Sequence, residues 1–205
     1  MLKELIPAVR MTLILALLTG LAFPLLITVI SQVIFPDQAN GSLIRSNGKV
    51  IGSKLIAQGF ASPKYFHPRP SAAGSGYAGE ASGGTNLGPT SSKLIMGIAD
   101  DPATKADESF AGIKQLAEAY RKDNELDAKA TIPVDAVTRS ASGLDPDISE
   151  ANAMLQAPRI AKARNVKLEA ITEIIRKCKI ERDLGILGEP RLNVLTINLA
   201  LDNIK

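Results

Sequence analysis

Residues 11–35 read MTLILALLTGLAFPLLITVISQVIF, a run of 25 positions without a single charge. A helix rises about 1.5 Å per residue, and roughly 20 residues cross the hydrocarbon core of a bilayer. The run is therefore long enough to span a membrane with some tilt. Gly20 and Pro24 weaken a helix in water but are tolerated in a membrane span, where Pro24 is expected to bend it. A cleaved signal peptide has a shorter apolar stretch, about 7–15 residues, ending in a small-x-small site. The exit here, Val33-Ile34-Phe35-Pro36, carries none. A helix buried in a soluble core rarely continues this long without polar residues.

Orientation follows from charge close to the span. Residues 1–10 carry Lys3 and Arg10 against Glu4, whereas Asp37 follows the span and the next cation is Arg45. The excess of positive charge places the N-terminus in the cytoplasm. The expected organisation is a short cytoplasmic segment (1–10), a transmembrane helix (11–35) and an extracytoplasmic domain (36–205). Without Lys3, Arg10 and Glu4, totals of 24 basic and 21 acidic residues become 22 and 20, so the outer part is nearly neutral. That balance is too mild for a nucleic-acid footprint. One Cys excludes an internal disulfide, one His excludes a His-rich metal site, and with no Trp the core must be aliphatic.

The outer part mixes both kinds of secondary structure. Two apolar-rich segments around Asn47-Gly48 predict a β-hairpin over 42–52. Residues 62–89 are half Gly, Pro or Ser and predict a long irregular loop. Tyr65, Phe66 and Tyr77 lie within it, and a solvated linker has little use for aromatic rings. An ordered loop packed on the domain or on a partner is expected. Helical spacing of Phe110, Ile113, Leu116, Ala117 and Tyr120 predicts a helix over 102–121. One helical turn is expected over 133–138. Ser149 is a candidate N-cap for a helix over 150–164, and a further helix is expected over 166–179. Leu195, Ile197, Leu199 and Leu201 alternate with polar or small residues and argue for a strand, although Val194, Ile197 and Leu201 also fit a helix. The fold class is a single N-terminal transmembrane α-helix followed by one mixed α+β extracytoplasmic domain.

Chemistry-bearing patterns are sparse. Gly83–Thr90 approaches a phosphate-binding loop, but Pro89 stands where the lysine belongs, removing a charge and a backbone N–H. A tight ordered turn is the expected reading. His67, flanked by aromatics and prolines, reads as a packing or hydrogen-bonding group. Cys178 lies among Arg176, Lys177 and Lys179 and reads as a free thiol on a cationic helix end. Asp145 and Asp147, around Pro146 and ahead of a helix, read as caps. Gln156, Arg159, Lys162 and Arg164 share one helix and read as a solvated polar face. This profile suits an accessory subunit; the competing reading is a stand-alone membrane-anchored periplasmic enzyme or binding protein using His67 and the glycine-rich loop.

Several longer runs carry a resemblance. They include Gln38-Ala39-Asn40-Gly41-Ser42-Leu43-Ile44, Tyr65-Phe66-His67 with Arg69-Pro70-Ser71, and Ser82-Gly83-Gly84-Thr85-Asn86-Leu87. Ser140-Ala141-Ser142-Gly143-Leu144-Asp145, Pro158-Arg159-Ile160-Ala161-Lys162-Ala163-Arg164-Asn165 and Leu187-Gly188-Glu189-Pro190-Arg191-Leu192-Asn193-Val194 continue it in order. The chain resembles the C subunit of the Kdp-type potassium-transporting ATPase nearly end to end. It departs from that family at Thr85, where Ser is usual, and over residues 177–182. The resemblance implies a non-catalytic subunit in a bacterial inner-membrane complex for high-affinity, ATP-driven potassium uptake. Implied partners are a potassium-translocating subunit, a P-type ATP-hydrolysing subunit and a small membrane peptide.

The resemblance further implies a role in assembly and as a catalytic chaperone that raises the ATP affinity of the hydrolysing subunit. It implies no catalytic residue, metal or resident cofactor; ATP enters through the partner, with Gln156 as the candidate nucleotide contact. The charge-based topology places Gln156 outside, away from cytoplasmic ATP, so coupling through the complex is the expectation. For docking, Tyr65, Phe66, Arg69 and Asn86 are the candidates, aromatic rings being frequent interface anchors. Thr12, Thr19, Gly20, Ser31 and Gln32 offer small or polar positions suited to contact between membrane helices.

Overall fold

The computed structural model describes residues 2–46, 48–98 and 110–204, with Leu2 by its backbone alone. The chain divides into two compact units, 1–53 and 54–205. The first begins with a long apolar helix, built from α1 (Leu2–Leu17), a π-helical turn (Leu18–Ala22) and α2 (Phe23–Ile34). The π turn has a cause in the sequence. Pro24 has no N–H to give to the turn before it, and the ladder widens just ahead, with the N–H of Phe23 reaching the carbonyl of Leu18. Thr12, Thr19 and Thr28 each donate to the carbonyl four residues back, at 2.9, 2.7 and 2.8 Å. Their hydroxyls are thus satisfied inside the helix, as a hydrocarbon surrounding requires. Phe35, forced out of the helical region ahead of Pro36 (φ −132°, ψ 56°), ends it.

A single turn, α3 (Pro36–Ala39), leads to the expected hairpin of β1 (Leu43–Ser46) and β2 (Lys49–Ser53). The strands pair antiparallel, Ser46 opposite Lys49, with Gly48 at φ +78° in the connection. Asn47 lies outside the described residues.

In the second unit, residues 54–91 form no helix or strand. They are followed by α4 (Ser92–Met96), α5 (Ile113–Asp123), α6 (Val134–Val137), β3 (Asp147–Ser149), α7 (Glu150–Arg164), α8 (Leu168–Cys178), β4 (Arg191–Asn193) and α9 (Val194–Asp202). β3 and β4 pair antiparallel, with Ile148 opposite Leu192. Of the helix expected over 102–121, residues 102–109 lie outside the described residues, and the observed helix starts at Ile113. Ser149 caps α7 as expected, its hydroxyl oxygen accepting from the Asn152 N–H at 3.1 Å.

The tail corrects the strand reading: only Arg191–Asn193 is a strand, and 194–202 is helical. Asn193 is the reason. Its side-chain oxygen accepts from the Thr196 N–H at 3.1 Å, an N-cap that starts a helix where the alternation suggested a strand.

The core lies between α7, α8 and α9. It comprises Ile148, Ala153, Ala157, Ile160, Ala161, Ile171, Ile175, Leu192, Val194, Ile197 and Leu201, closed by Phe66 from the long loop. Its aliphatic character matches the composition. On α7, Ile160 is fully buried and Met154 is exposed. Ile160→Ala should lower unfolding stability by about 2–5 kcal/mol, whereas Met154→Ala should change it by no more than about 0.5 kcal/mol. Equal effects in denaturant titration would contradict this placement of the core.

Candidate functional site

The most organised chemistry in the second unit surrounds residues 62–67, an irregular stretch whose backbone polar groups need partners. Helices α7 and α9 supply them through side chains. The Phe66 N–H donates to Asn198 Oδ1 at 2.8 Å, and Asn198 Nδ2 donates to the Phe66 carbonyl at 3.0 Å. The next residue repeats this toward α7. The His67 N–H donates to Gln156 Oε1 at 2.7 Å, and Gln156 Nε2 returns a bond to the His67 carbonyl at 3.1 Å. Successive residues of an extended chain direct their backbone groups to opposite sides. One amide from each flanking helix therefore does the work of a neighbouring strand.

Arginines take the carbonyls before these. Arg159 Nη1 donates to Pro63 O at 2.7 Å and Nη2 to Tyr65 O at 3.1 Å, while Arg164 Nε donates to Lys64 O at 2.7 Å. Every carbonyl from Pro63 to His67 thus receives a side-chain donor. Arg159 is itself buried, and it also donates to Asn124 Oδ1 (3.0 Å) and Gln156 Oε1 (2.8 Å). Behind it, Gln156 Nε2 also donates to Asn152 Oδ1 (2.9 Å), which accepts as well from the Tyr120 hydroxyl (2.8 Å). Asp135 closes the network, accepting from Asn152 Nδ2, the Ser149 N–H and the Ser149 hydroxyl at 2.8–2.9 Å. Burial pushes the Tyr120 hydroxyl far above its ordinary value, so it stays a donor.

This geometry corrects the solvated-face reading of α7. Gln156 is 1% exposed and Arg159 8%; only Lys162, paired with Glu125, stands in solvent. Arg164 is turned inward onto Lys64, Leu201 and Asp202. The amide of Gln156 has two acceptor and two donor positions, and all four are occupied within the domain. In this conformation it keeps no hydrogen bond for a nucleotide.

Of the docking candidates, Phe66 is fully enclosed in the domain's own core rather than presented to a partner. Tyr65 is half-buried, its ring 4.8 Å from the Arg164 guanidinium and its hydroxyl 2.9 Å from Asp202, which holds its pKa above the ordinary value. Arg69 pairs with Asp145 at 2.5 Å within the domain. Asn86 is exposed, at φ +52°. Asp145 and Asp147 are not the caps expected of them: Asp145 holds Arg69, and Asp147 holds Arg191 at 3.1 Å. Burial raises the Asp147 pKa.

The glycine-rich segment is an ordered turn. Gly83 donates to Ser142 O at 2.9 Å, and a Cβ at Gly84 would lie 2.7 Å from the Ala141 carbonyl oxygen. The glycines serve close backbone approach. Tyr77, whose hydroxyl donates to Arg69 O at 2.8 Å, ties down the middle of the loop, and burial pushes its pKa up to about 12. Cys178 is half-buried against the core, and burial raises its thiol pKa.

Two predictions follow from this network. Gln156→Ala strands the half-buried His67 N–H and carbonyl and leaves the buried Arg159 and Asn152 each short of a partner, a lost partner for a buried group costing about 1–3 kcal/mol. Thermal unfolding should show a loss of several kcal/mol, and a near-neutral result would remove Gln156 from the scaffold. His67 Nε2 lies 3.1 Å from Ser62 O and 3.5 Å from Arg159 Nη1, and burial followed by the Arg159 charge lowers its pKa below 6.5. A lowered folded value means that the unfolded chain takes up the proton first. The stability is therefore complete above pH 6.5 and is lost as pH falls toward the folded value. His67→Gln should flatten the stability–pH profile there; an unchanged slope would contradict it.

Comparison with known proteins finds relatives along nearly the whole chain. The family profile described as "KdpC: K+-transporting ATPase, c chain" matches residues 5–203. A relative from Mycobacterium bovis (strain BCG / Pasteur 1173P2), the "Potassium-transporting ATPase KdpC subunit", is 48% identical over 202 residues, covering 98% of this chain and 99% of its own. Relatives of the same name from Acidobacterium capsulatum and Rhodospirillum rubrum are 50% and 49% identical. They cover 96% and 98% of this chain and 96% of their own length in both cases. With both the profile and these relatives spanning nearly the whole chain, it belongs to the KdpC family, the c chains of K+-transporting ATPases.

Proposed function

We propose that this chain is a non-catalytic accessory subunit of an ATP-driven potassium uptake complex, anchored by its N-terminal helix and needed for assembly. The observation that carries the reading is the helix Lys3–Ile34. It is long and apolar enough to cross a membrane, and none of its most apolar window is buried by the rest of the chain. Such a surface calls for lipid or for other apolar helices. Its partners in the proposal are a potassium-translocating subunit, a P-type ATP-hydrolysing subunit and a small membrane peptide. Lys3 and Arg10 on the short side favour a cytoplasmic N-terminus and an outer domain at the inner membrane.

In this reading Gln156 is a structural residue. Its amide is used inside the domain, so direct nucleotide contact would require the loop clamp to open. Any rise in the ATP affinity of the hydrolysing subunit then runs through contacts between subunits. Such coupling requires a state of the complex that both sites bias, not a shared compartment.

Co-expression with the other subunits followed by detergent purification on a tag carried by this chain tests membership. The hydrolysing and translocating subunits should be recovered together, and recovery of this chain alone would refute the reading. Topology is tested in a Cys178→Ser background. A cysteine at Ser46 should react with an impermeant thiol reagent added to intact cells, and one at Lys3 should be protected. The reverse pattern would invert the orientation.

A further inference from the structure

Between α8 and β4 the chain makes a short tight turn whose tip is unusually apolar. Asp183 and Leu187 exchange both backbone hydrogen bonds at 2.9 Å, closing a loop of Leu184, Gly185 and Ile186. Leu184 is 88% exposed, Ile186 76% and Leu187 56%. Single exposed aliphatics need no explanation, but three together on one ordered tip do.

The backbone makes the tip stranger. Leu184 sits at φ +55°, in the left-handed region that favours Gly or Asn and disfavours a branched apolar side chain. A polar residue there would suit both the backbone and the solvent. The leucine gains no packing within its own domain to offset that strain.

The charges around the tip identify its acceptor. Arg182 pairs with Glu189 at 2.6 Å, Lys179 with Glu181 and Glu150 at 3.0 Å, and Arg191 with Asp147 at 3.1 Å and Asp183 at 3.8 Å. Among the described residues, the cations at the base are therefore paired with carboxylates, and the tip itself offers an apolar surface. An anionic headgroup layer would be met by unpaired Lys or Arg. An uncharged apolar pocket on a protein needs no such counter-charge. A chain of this family is one subunit among several, so protein acceptors are at hand.

We propose that the Leu184–Ile186–Leu187 tip docks into an apolar pocket on the extramembrane surface of another subunit of the same ATPase. This rests on the assembly role proposed above and names the surface that serves it. Leu184 and Ile186 are exposed and belong to neither the core nor the clamp, so changes to their side chains leave that network alone.

The test uses the full chain co-expressed with the other subunits. The double variant Leu184→Asn with Ile186→Ser should be recovered with its partners at least about tenfold less well, the equivalent of one modest interface anchor. Its unfolding temperature should be unchanged or raised, because Asn accepts the left-handed conformation. A photoreactive residue replacing Ile186 should cross-link to one of the other subunits. Undiminished recovery of the variant, or cross-linking to lipid, to a second copy of this chain or to nothing, overturns the proposal. If the unsubstituted chain fails to recover its partners, the assembly reading falls as well, so the two failures are distinguishable.

Discussion

A buried guanidinium whose hydrogen-bond partners are chiefly neutral oxygens holds the second unit in its shape. Removing a charge from water costs several kcal/mol, even after the protein relaxes around it. Arg159 meets that cost with Pro63 O, Tyr65 O, Asn124 Oδ1 and Gln156 Oε1, all within 3.1 Å. The planar fork is what makes this possible: it reaches two carbonyls of one strand-like segment and two side-chain amides at once. A lysine would offer a single point. The dependence is mutual, since residues 63–67 have no sheet to join and would otherwise bury unpaired carbonyls. Loop and helix are each unsatisfied without the other, so the segment is ordered although its composition reads as irregular.

Much follows from that constraint. Phe66 reaches the core because Asn198 and Gln156 grip the backbone of residues 66 and 67 from two helices. Once residues 63–67 are placed, Tyr77 and Ser71 fasten the next stretch to Arg69 O and Gly143 O. Gly83 and Gly84 can then lie against Ala141–Gly143. At Gly143, φ +68° and the nearness of Gly83 O, 2.6 Å from where a Cβ would be, exclude any other residue without strain. Asp135 extends the network to α6. Polar networks of this kind are cooperative, and each member raises the penalty for losing its neighbour.

The sequence disclosed some of this and concealed the rest for identifiable reasons. The apolar span, the hairpin around Asn47-Gly48 and the limits of α7 were legible, because each is a local signal. Ser149, the expected N-cap, opens α7 in the structure, and the left-handed Asn165 ends it. The orientation of α7 was not legible. Gln156, Arg159 and Arg164 look like solvent-facing residues because charge at helical spacing usually is, and contacts with residues distant in sequence, some 35–100 positions away, turn them inward. The tail was misread because Leu195, Ile197, Leu199 and Leu201 satisfy period two by coincidence. The available signal was Asn193 ahead of the run, together with Asn198 inside it. In a strand Asn198 would face solvent, while in a helix it joins the face of Val194, Ile197 and Leu201 and needs a buried partner, which Phe66 supplies.

The two units differ in how their polar groups are satisfied, and this bears on how a subunit of this kind works. The apolar helix is self-sufficient: its threonines bond back along the helix, and its π turn absorbs the donor that Pro24 lacks. The second unit draws its core from residues 60 onward and satisfies its loop with its own side chains. At an interface between subunits, a rigid element loses little entropy on binding. A clamp that immobilises residues 62–67 and a turn closed by two backbone bonds are both preorganised in that sense. Rigidity of the interior and exposure of an apolar tip become parts of one design, in which the fold fixes the geometry that an interface can then use.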